Sequence, residues 1–217
     1  MGINELEDFY SHLDFMAISE ARFFPYITSF TKIDTGHEVQ FSYETTADPN
    51  HLGDKAVFVA STQDGRKIVV KFTEVYNDEA HSLLAAAGLA PQLLSCDRSR
   101  FSDFTMVVMD YVDGKQFFYR YPDATPPGVL DEVSKALRIL HENKLVFGDL
   151  RSPNILVTDQ HRVQLVDFDW CGKVGEGTYP EGINLVDIKW PESVVPGGPL
   201  MIEHDDEMFR RLKSREL

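Results

Sequence analysis

Apolar residues recur along this chain in two rhythms, and the change from one to the other divides it. Near the start, Leu6, Phe9, Leu13 and Met16 repeat at helical spacing behind Asn4, an N-cap residue type, and predict a helix over 4–20. From 38 to 72 the period falls to two. Val39, Phe41 and Tyr43 alternate with polar residues, and KAVFVASTQDGRKIVVKF holds two β-rich runs around Asp64-Gly65, a strong hairpin signal. Asn77-Asp78 then caps EAHSLLAAAG, a short helix closed by Gly88 before Pro91. TMVVMDYV (105–112) reads as a further strand.

Beyond the aromatic and proline-rich connector QFFYRYPDATPPG (116–128), the helical rhythm returns. LDEVSKALRILHENKLV sets Leu130, Val133, Leu137 and Leu140 on one face of an amphipathic helix. The segment VFGDLRSPNILV follows, then a turn at Asp159-Gln160, the strand RVQLVDF, a Gly- and Pro-rich stretch from Gly172, and a short helix near 203–214. The order predicts an α+β chain in two lobes. The first is β-rich (1–112), the second reduced and mainly helical (113–217), with the linker within 110–128.

Composition narrows the function classes. A chain of 217 residues that is 43% hydrophobic builds one large domain or two small lobes. Its net charge of -14, from 35 acidic and 21 basic residues, argues against nucleic acid or an anionic membrane as main partner. MGINELEDFY carries no leader pattern and no apolar run is long enough to span a bilayer, so a soluble, cytoplasmic protein is expected. Cys96 and Cys171 lack metal-ligand spacing and read as reduced thiols.

Five polar residues stand at the ends of these elements. Lys71 lies near the end of VVKF, Glu79 opens the next helix, Asp149 and Asn154 sit five apart in FGDLRSPN, and Asp167 lies near the end of LVDF. Singly, each has an ordinary reading: a solvated cation, a charge favourable to the helix dipole, and turn formers that bond their own backbone. In this order and on these elements they resemble the protein-kinase-like superfamily. Its signature set is a strand lysine, a glutamate on the following helix, a catalytic loop with Asp and then Asn five residues on, and an Asp-Phe metal motif. The resemblance covers about residues 38–170.

It implies a two-lobed protein-kinase-like fold with a reduced C-terminal lobe, since fifty residues follow Asp167. It implies ATP and Mg²⁺, with phosphotransfer to a hydroxyl acceptor whose identity stays open. In that frame Asp149 is the catalytic base, and Arg151 takes the position of a phosphate-contacting lysine. Lys71 is the phosphate clamp and Glu79 its anchor, with Glu74 as a rival. Met109, Asp110, Tyr111 and Val112, within MVVMDYVDG, hold adenine through backbone groups. Asn154 and Asp167 are the Mg²⁺ ligands, and Asp169 is a further one. The spacing suits this chemistry, which needs positioning and charge neutralisation more than covalent help.

The departures are specific. Phe147 and Gly148 replace the His-Arg that precedes the catalytic Asp in protein kinases, so no phosphorylated activation switch is expected. Gly148 and Asp169 resemble small-molecule kinases of the aminoglycoside and choline type. ETTADPNHLGD has no glycine-rich pattern, which keeps open a catalytically inactive pseudokinase serving as a scaffold. Trp190-Pro191-Glu192 resembles the Ala-Pro-Glu that closes an activation segment, and DFDWCGKVGEG with YPEGINLVDIKWPESVVPGGP resembles small kinase-like proteins of mushroom-forming fungi. A protein partner that completes the C-lobe also stays open. His204, in EHDDEMF, is read as a solvated helix start rather than part of a metal cluster.

Overall fold

The computed structural model describes residues 27–44, 56–99 and 103–215; the helix expected over 4–20 and all but the first residue of ETTADPNHLGD lie outside them. The β-rich half is a six-stranded antiparallel sheet. Its strands are β1 (Ser29–Thr31), β2 (Glu38–Tyr43), β3 (Ala56–Thr62), β4 (Lys67–Thr73), β5 (Leu93–Asp97) and β6 (Thr105–Asp110). They run in the order β1-β2-β3-β4-β6-β5.

The β3–β4 hairpin turns where the sequence places it. Gly65 takes a φ of +84°, its N–H donates to the Thr62 carbonyl at 2.9 Å, and the Thr62 hydroxyl donates to the Asp64 carboxylate. The register pairs Phe58 with Val70 and Ala60 with Ile68. Ala60, Ile68 and Val70 join Phe30, Phe41, Met106 and Val108 in an apolar cluster on one face of the sheet. Val57, Val69 and Lys71 occupy the alternate positions and therefore face the other way. Strand parity alone thus sends Lys71 towards the second half of the molecule.

Helix α1 (Asp78–Ala86) starts at Asn77, whose side chain accepts from the Ala80 N–H, and buries Ala80, His81 and Leu84. Beyond it come β7 (Gly114–Gln116), α2 (Phe117–Arg120), α3 (Pro127–Glu142), β8 (Leu145–Val146), β9 (Ile155–Thr158), β10 (Val163–Leu165), β11 (Gly172–Lys173) and α4 (Ile202–Ser214). Helix α3 begins three residues earlier than its apolar face suggests, because Pro127 is well tolerated in a first turn. It buries Val129, Val133, Ala136, Leu137 and Leu140, while Leu130 is only partly covered. One continuous apolar cluster joins Leu84, Leu93 and Met109 to α3, to Ile155 and Leu165, and to Met208 and Leu212 of α4. The result is an α+β, two-lobed fold with few helices in its second lobe.

Three expectations need correction. The strand drawn through RVQLVDF stops at Leu165, and Asp167 lies beyond it with a φ of +70°. His204 is buried, not solvated. Its Nδ1 meets the Tyr179 hydroxyl at 3.1 Å and its Nε2 the Ser193 hydroxyl at 3.0 Å. The strands β1, β5, β7 and β11 were not expected, and Leu145–Val146, read as the end of the long helix, form β8 because the helix stops at Glu142. Among the described residues, no helix is long and apolar enough to cross a membrane. Cys96 and Cys171 are unpaired, and burial pushes the Cys96 thiol up to about 11 and Cys171 well above its ordinary value.

Candidate active site

Lys71 is 4% exposed. A buried ammonium requires counter-charges, and Nζ has two: it donates to Asp167 and, at 2.6 Å, to Asp169. The Tyr76 ring presents its face 5.6 Å away. Burial, with the charges of Asp169 and Asp167 adding to it, raises the Tyr76 phenol well above its ordinary value, so the ring stays neutral. Glu79 is not where the lysine-anchor expectation requires it. It is exposed on the first turn of α1, and the ion pairs of Lys71 go to the two aspartates instead. Glu74, the rival, is also exposed. The physical reason is the helix start, since Asn77 caps α1 and its amide also donates to the Cys171 carbonyl at 3.1 Å.

Below the sheet lies a cleft of about 260 Å³, lined by Val57, Val69, Lys71, Met109, Asp110, Tyr111, Val112, Asn154, Leu156, Val166 and Asp167 among others. Val57 and Val69 from the sheet and Leu156 from β9 supply apolar walls suited to a flat ring. Met109 is buried at the end of β6. The Asp110 carboxylate is held by Arg66 through two parallel bonds of 2.8 and 2.7 Å, so what Asp110 offers the cleft is backbone. Tyr111 is partly exposed, with Lys67 5.5 Å from its ring.

Across the cleft, the loop after β8 is held from behind by α4. The Asp205 carboxylate, 1% exposed, accepts from the N–H groups of Phe147 at 2.8 Å and Gly148 at 3.0 Å, and from His141 Nε2 at 3.0 Å. Burial lowers the His141 pKa, but the Asp205 bond and neighbouring acids outweigh it, and the net shift is upward. Gly148 takes a φ of +79°, and a Cβ there would stand 2.9 Å from the Trp170 carbonyl oxygen. Any side chain at this position would be strained. Sequence reading missed Asp205 because one acid among the four of EHDDEMF looks like part of a charged helix start.

Asp149 follows, 3% exposed. Arg151 grips its carboxylate from two nitrogens, one at 2.7 Å and one through Nε. Burial opposes the Arg151 charge, but the bond to Asp149 prevails and raises its pKa. Arg151 also sits over the Trp190 ring at 5.6 Å. A 3-10 turn at Ser152–Asn154 returns Asn154, whose Nδ2 donates to the Asp149 carboxylate at 2.8 Å and to its carbonyl at 2.9 Å. Both amide hydrogens being used, the Asn154 oxygen is left for another partner. Glu192 of Trp190-Pro191-Glu192 is exposed.

Phe168 ties the two sides together. It is fully buried, stacks on His81 at 4.7 Å and meets Phe147 edge-on at 5.6 Å. His81 Nε2 lies 2.8 Å from the Pro91 carbonyl, which can only accept, so Nδ1 takes the Tyr76 hydroxyl hydrogen at 2.7 Å. Burial holds this neutral imidazole at about 4. Lys71, Asp149, Asn154, Asp167 and Asp169 therefore come together, with the Met109–Val112 segment at the cleft edge and Glu79 outside.

Comparison with known proteins bears on the family. The protein kinase domain, as a family, matches residues 57–186. The serine/threonine-protein kinase GRIK1 of Arabidopsis thaliana is 38% identical over 81 residues, 33% of this chain and 19% of that protein. Serine/threonine-protein kinase Nek1 of Mus musculus is 30% identical over 132 residues, 52% of this chain and 11% of its own length. Serine/threonine-protein kinase Sgk1 of Danio rerio is 25% identical over 153 residues, 67% of this chain and 35% of its own. The chain thus spans between about a tenth and a third of the length of these relatives.

Proposed function

This chain belongs to the protein kinase domain family, and from that premise we propose that it transfers the γ-phosphate of ATP to a hydroxyl group. We place the division between its lobes after Val112. Adenine lies between Val57 and Val69 above and Leu156 below, against the backbone of Asp110 and Val112. The ammonium of Lys71 binds the phosphates. Asp149 orients the acceptor hydroxyl and takes its proton, and Arg151, held beside it, meets the transferred group with positive charge.

Among the described residues no cluster of three or more His, Cys, Asp or Glu is arranged to hold a metal. Asp167 and the Asn154 oxygen are the hard donors that would hold Mg²⁺. Bound there, Mg²⁺ neutralises charge on the phosphates. The single observation that carries the proposal is the convergence of Lys71, Asn154 and Asp167 on the wall of one apolar cleft.

The test is thermal stability with ATP, with and without Mg²⁺, in the wild type and in Asp167→Ala. A ligand bound only to the native state at a hundredfold excess over its Kd stabilises by about 2.7 kcal/mol. The expected result is a stabilisation that requires Mg²⁺ and is lost in the variant; stability unmoved by nucleotide in every condition would contradict the proposal.

A further inference from the structure

The geometry points to Asp169 as the anchor of Lys71, a positioning residue rather than a further metal ligand. The assignment rests on the nucleotide reading above. It starts from the two carboxylates on one ammonium, which border different spaces. Asp167 lines the apolar cleft with Asn154. Asp169 lines a second cavity of about 550 Å³, together with Thr73, Glu74, Trp170 and Tyr179. Lys71 lines both and forms the wall between them.

The segment that carries Asp169 is pinned. Phe168 between the two aspartates is fully buried, and its carbonyl accepts from the Asn77 N–H at 3.2 Å and the Cys171 N–H at 3.4 Å. Asp169 therefore meets Lys71 from a fixed turn, at 2.6 Å. Glu79, exposed on a helix whose cap is tied to the same turn, has no part in the pair.

The chemistry separates the two acids. A carboxylate that takes Mg²⁺ must give up some of its bonding to the ammonium, and Asp167, which lines the same cleft as Asn154, is the one placed to do so. Asp169, on the far side, keeps Lys71 aimed while that exchange occurs. A long side chain held in one rotamer spends less entropy when the phosphates arrive. The anchor supplied in the resemblance by a helix glutamate is supplied here from the metal-motif segment itself.

The test is calorimetric titration with ATP over a range of Mg²⁺ concentrations, which reads binding and not turnover. In Asp169→Asn, ATP binding should weaken about tenfold, the scale of a lost charge-assisted hydrogen bond, with the Mg²⁺ requirement unchanged. In a Lys71→Met background the same substitution should have no further effect, because its action passes through the lysine. Asp167→Asn should raise the Mg²⁺ requirement in both backgrounds. A raised Mg²⁺ requirement in Asp169→Asn, an unchanged ATP affinity, or an equal further loss in Lys71→Met would overturn the assignment.

If Asp169→Asn does not fold, Asp169→Glu decides. An anchor tolerates the longer carboxylate with an unchanged Mg²⁺ requirement, whereas a ligand does not. Failure of the wild type itself to bind ATP would overturn the nucleotide reading, a result distinct from any difference among variants.

Discussion

The site has two acidic centres, both paired, one buried at Asp149 and one half-buried at Asp167 and Asp169, and they are built over different distances. Asp149 finds its cation two residues away in Arg151 and its amide five residues away in Asn154. Asp167 and Asp169 find theirs 96 and 98 residues away, on β4 of the other lobe. The first centre is a property of one loop, fixed from behind by Asp205. The second exists only when the sheet and the segment after β10 are packed together. The loop centre is therefore suited to a chemical step that needs fixed geometry. The lysine centre is suited to binding a ligand that lies between the lobes.

The largest expected effect breaks the loop centre alone. Asp149→Asn should lower phosphotransfer by about 10²–10⁴-fold, the range of a lost general base, while ATP affinity stays within a small factor. Transfer is measured as ADP release from Mg·ATP across a panel of hydroxyl acceptors, both peptides and small alcohols. Undiminished transfer would remove Asp149 from the base role.

Next is Asp205→Ala, which strips the Phe147 and Gly148 N–H groups of their acceptor and His141 of its partner. Losing such a buried network should cost about 3 kcal/mol, read by denaturant unfolding. A cost below about 0.5 kcal/mol, the scale of an ordinary surface change, would show that α4 does not hold the loop.

The smallest effect sharpens the lysine centre. His81 has its folded pKa depressed from 6.5 to about 4. The unfolded chain therefore takes up a proton near pH 6.5 that the native state refuses until about 4. Stability from this group is complete above pH 6.5 and declines as pH falls through that window, by about 2 kcal/mol between pH 7 and pH 5. His81→Gln should flatten this part of the profile. His141, whose pKa is raised, contributes with the opposite sign and is unchanged in the variant. A parallel decline in both proteins would show that His81 is not buried neutral.

The same contrast in distance explains what could be read from the sequence. The β3–β4 hairpin, the cap of α1, the face of α3 and the Asp149–Asn154 loop are local patterns, and they were legible. Lys71 could be placed on the cleft face by strand parity once the hairpin was fixed. Its partners could not, because Glu79 and Glu74 are nearer in sequence, whereas the pairing depends on how α1 is tied to the turn at Phe168. Asp205 and His204 were misjudged for a related reason. Charged residues opening a helix look solvated unless the loop that buries them is known. The backbone angle of Gly148 and the approach of Trp170 come from the packing of distant segments and were not legible.

One comparison tests the account most directly: calorimetric titration of Mg·ATP into wild type, Lys71→Met and Asp149→Asn side by side. The account predicts that the wild type binds, that Lys71→Met binds about tenfold more weakly, and that Asp149→Asn binds as the wild type does. Equal losses in the two variants would contradict the division of the cleft into a binding centre and a chemical one.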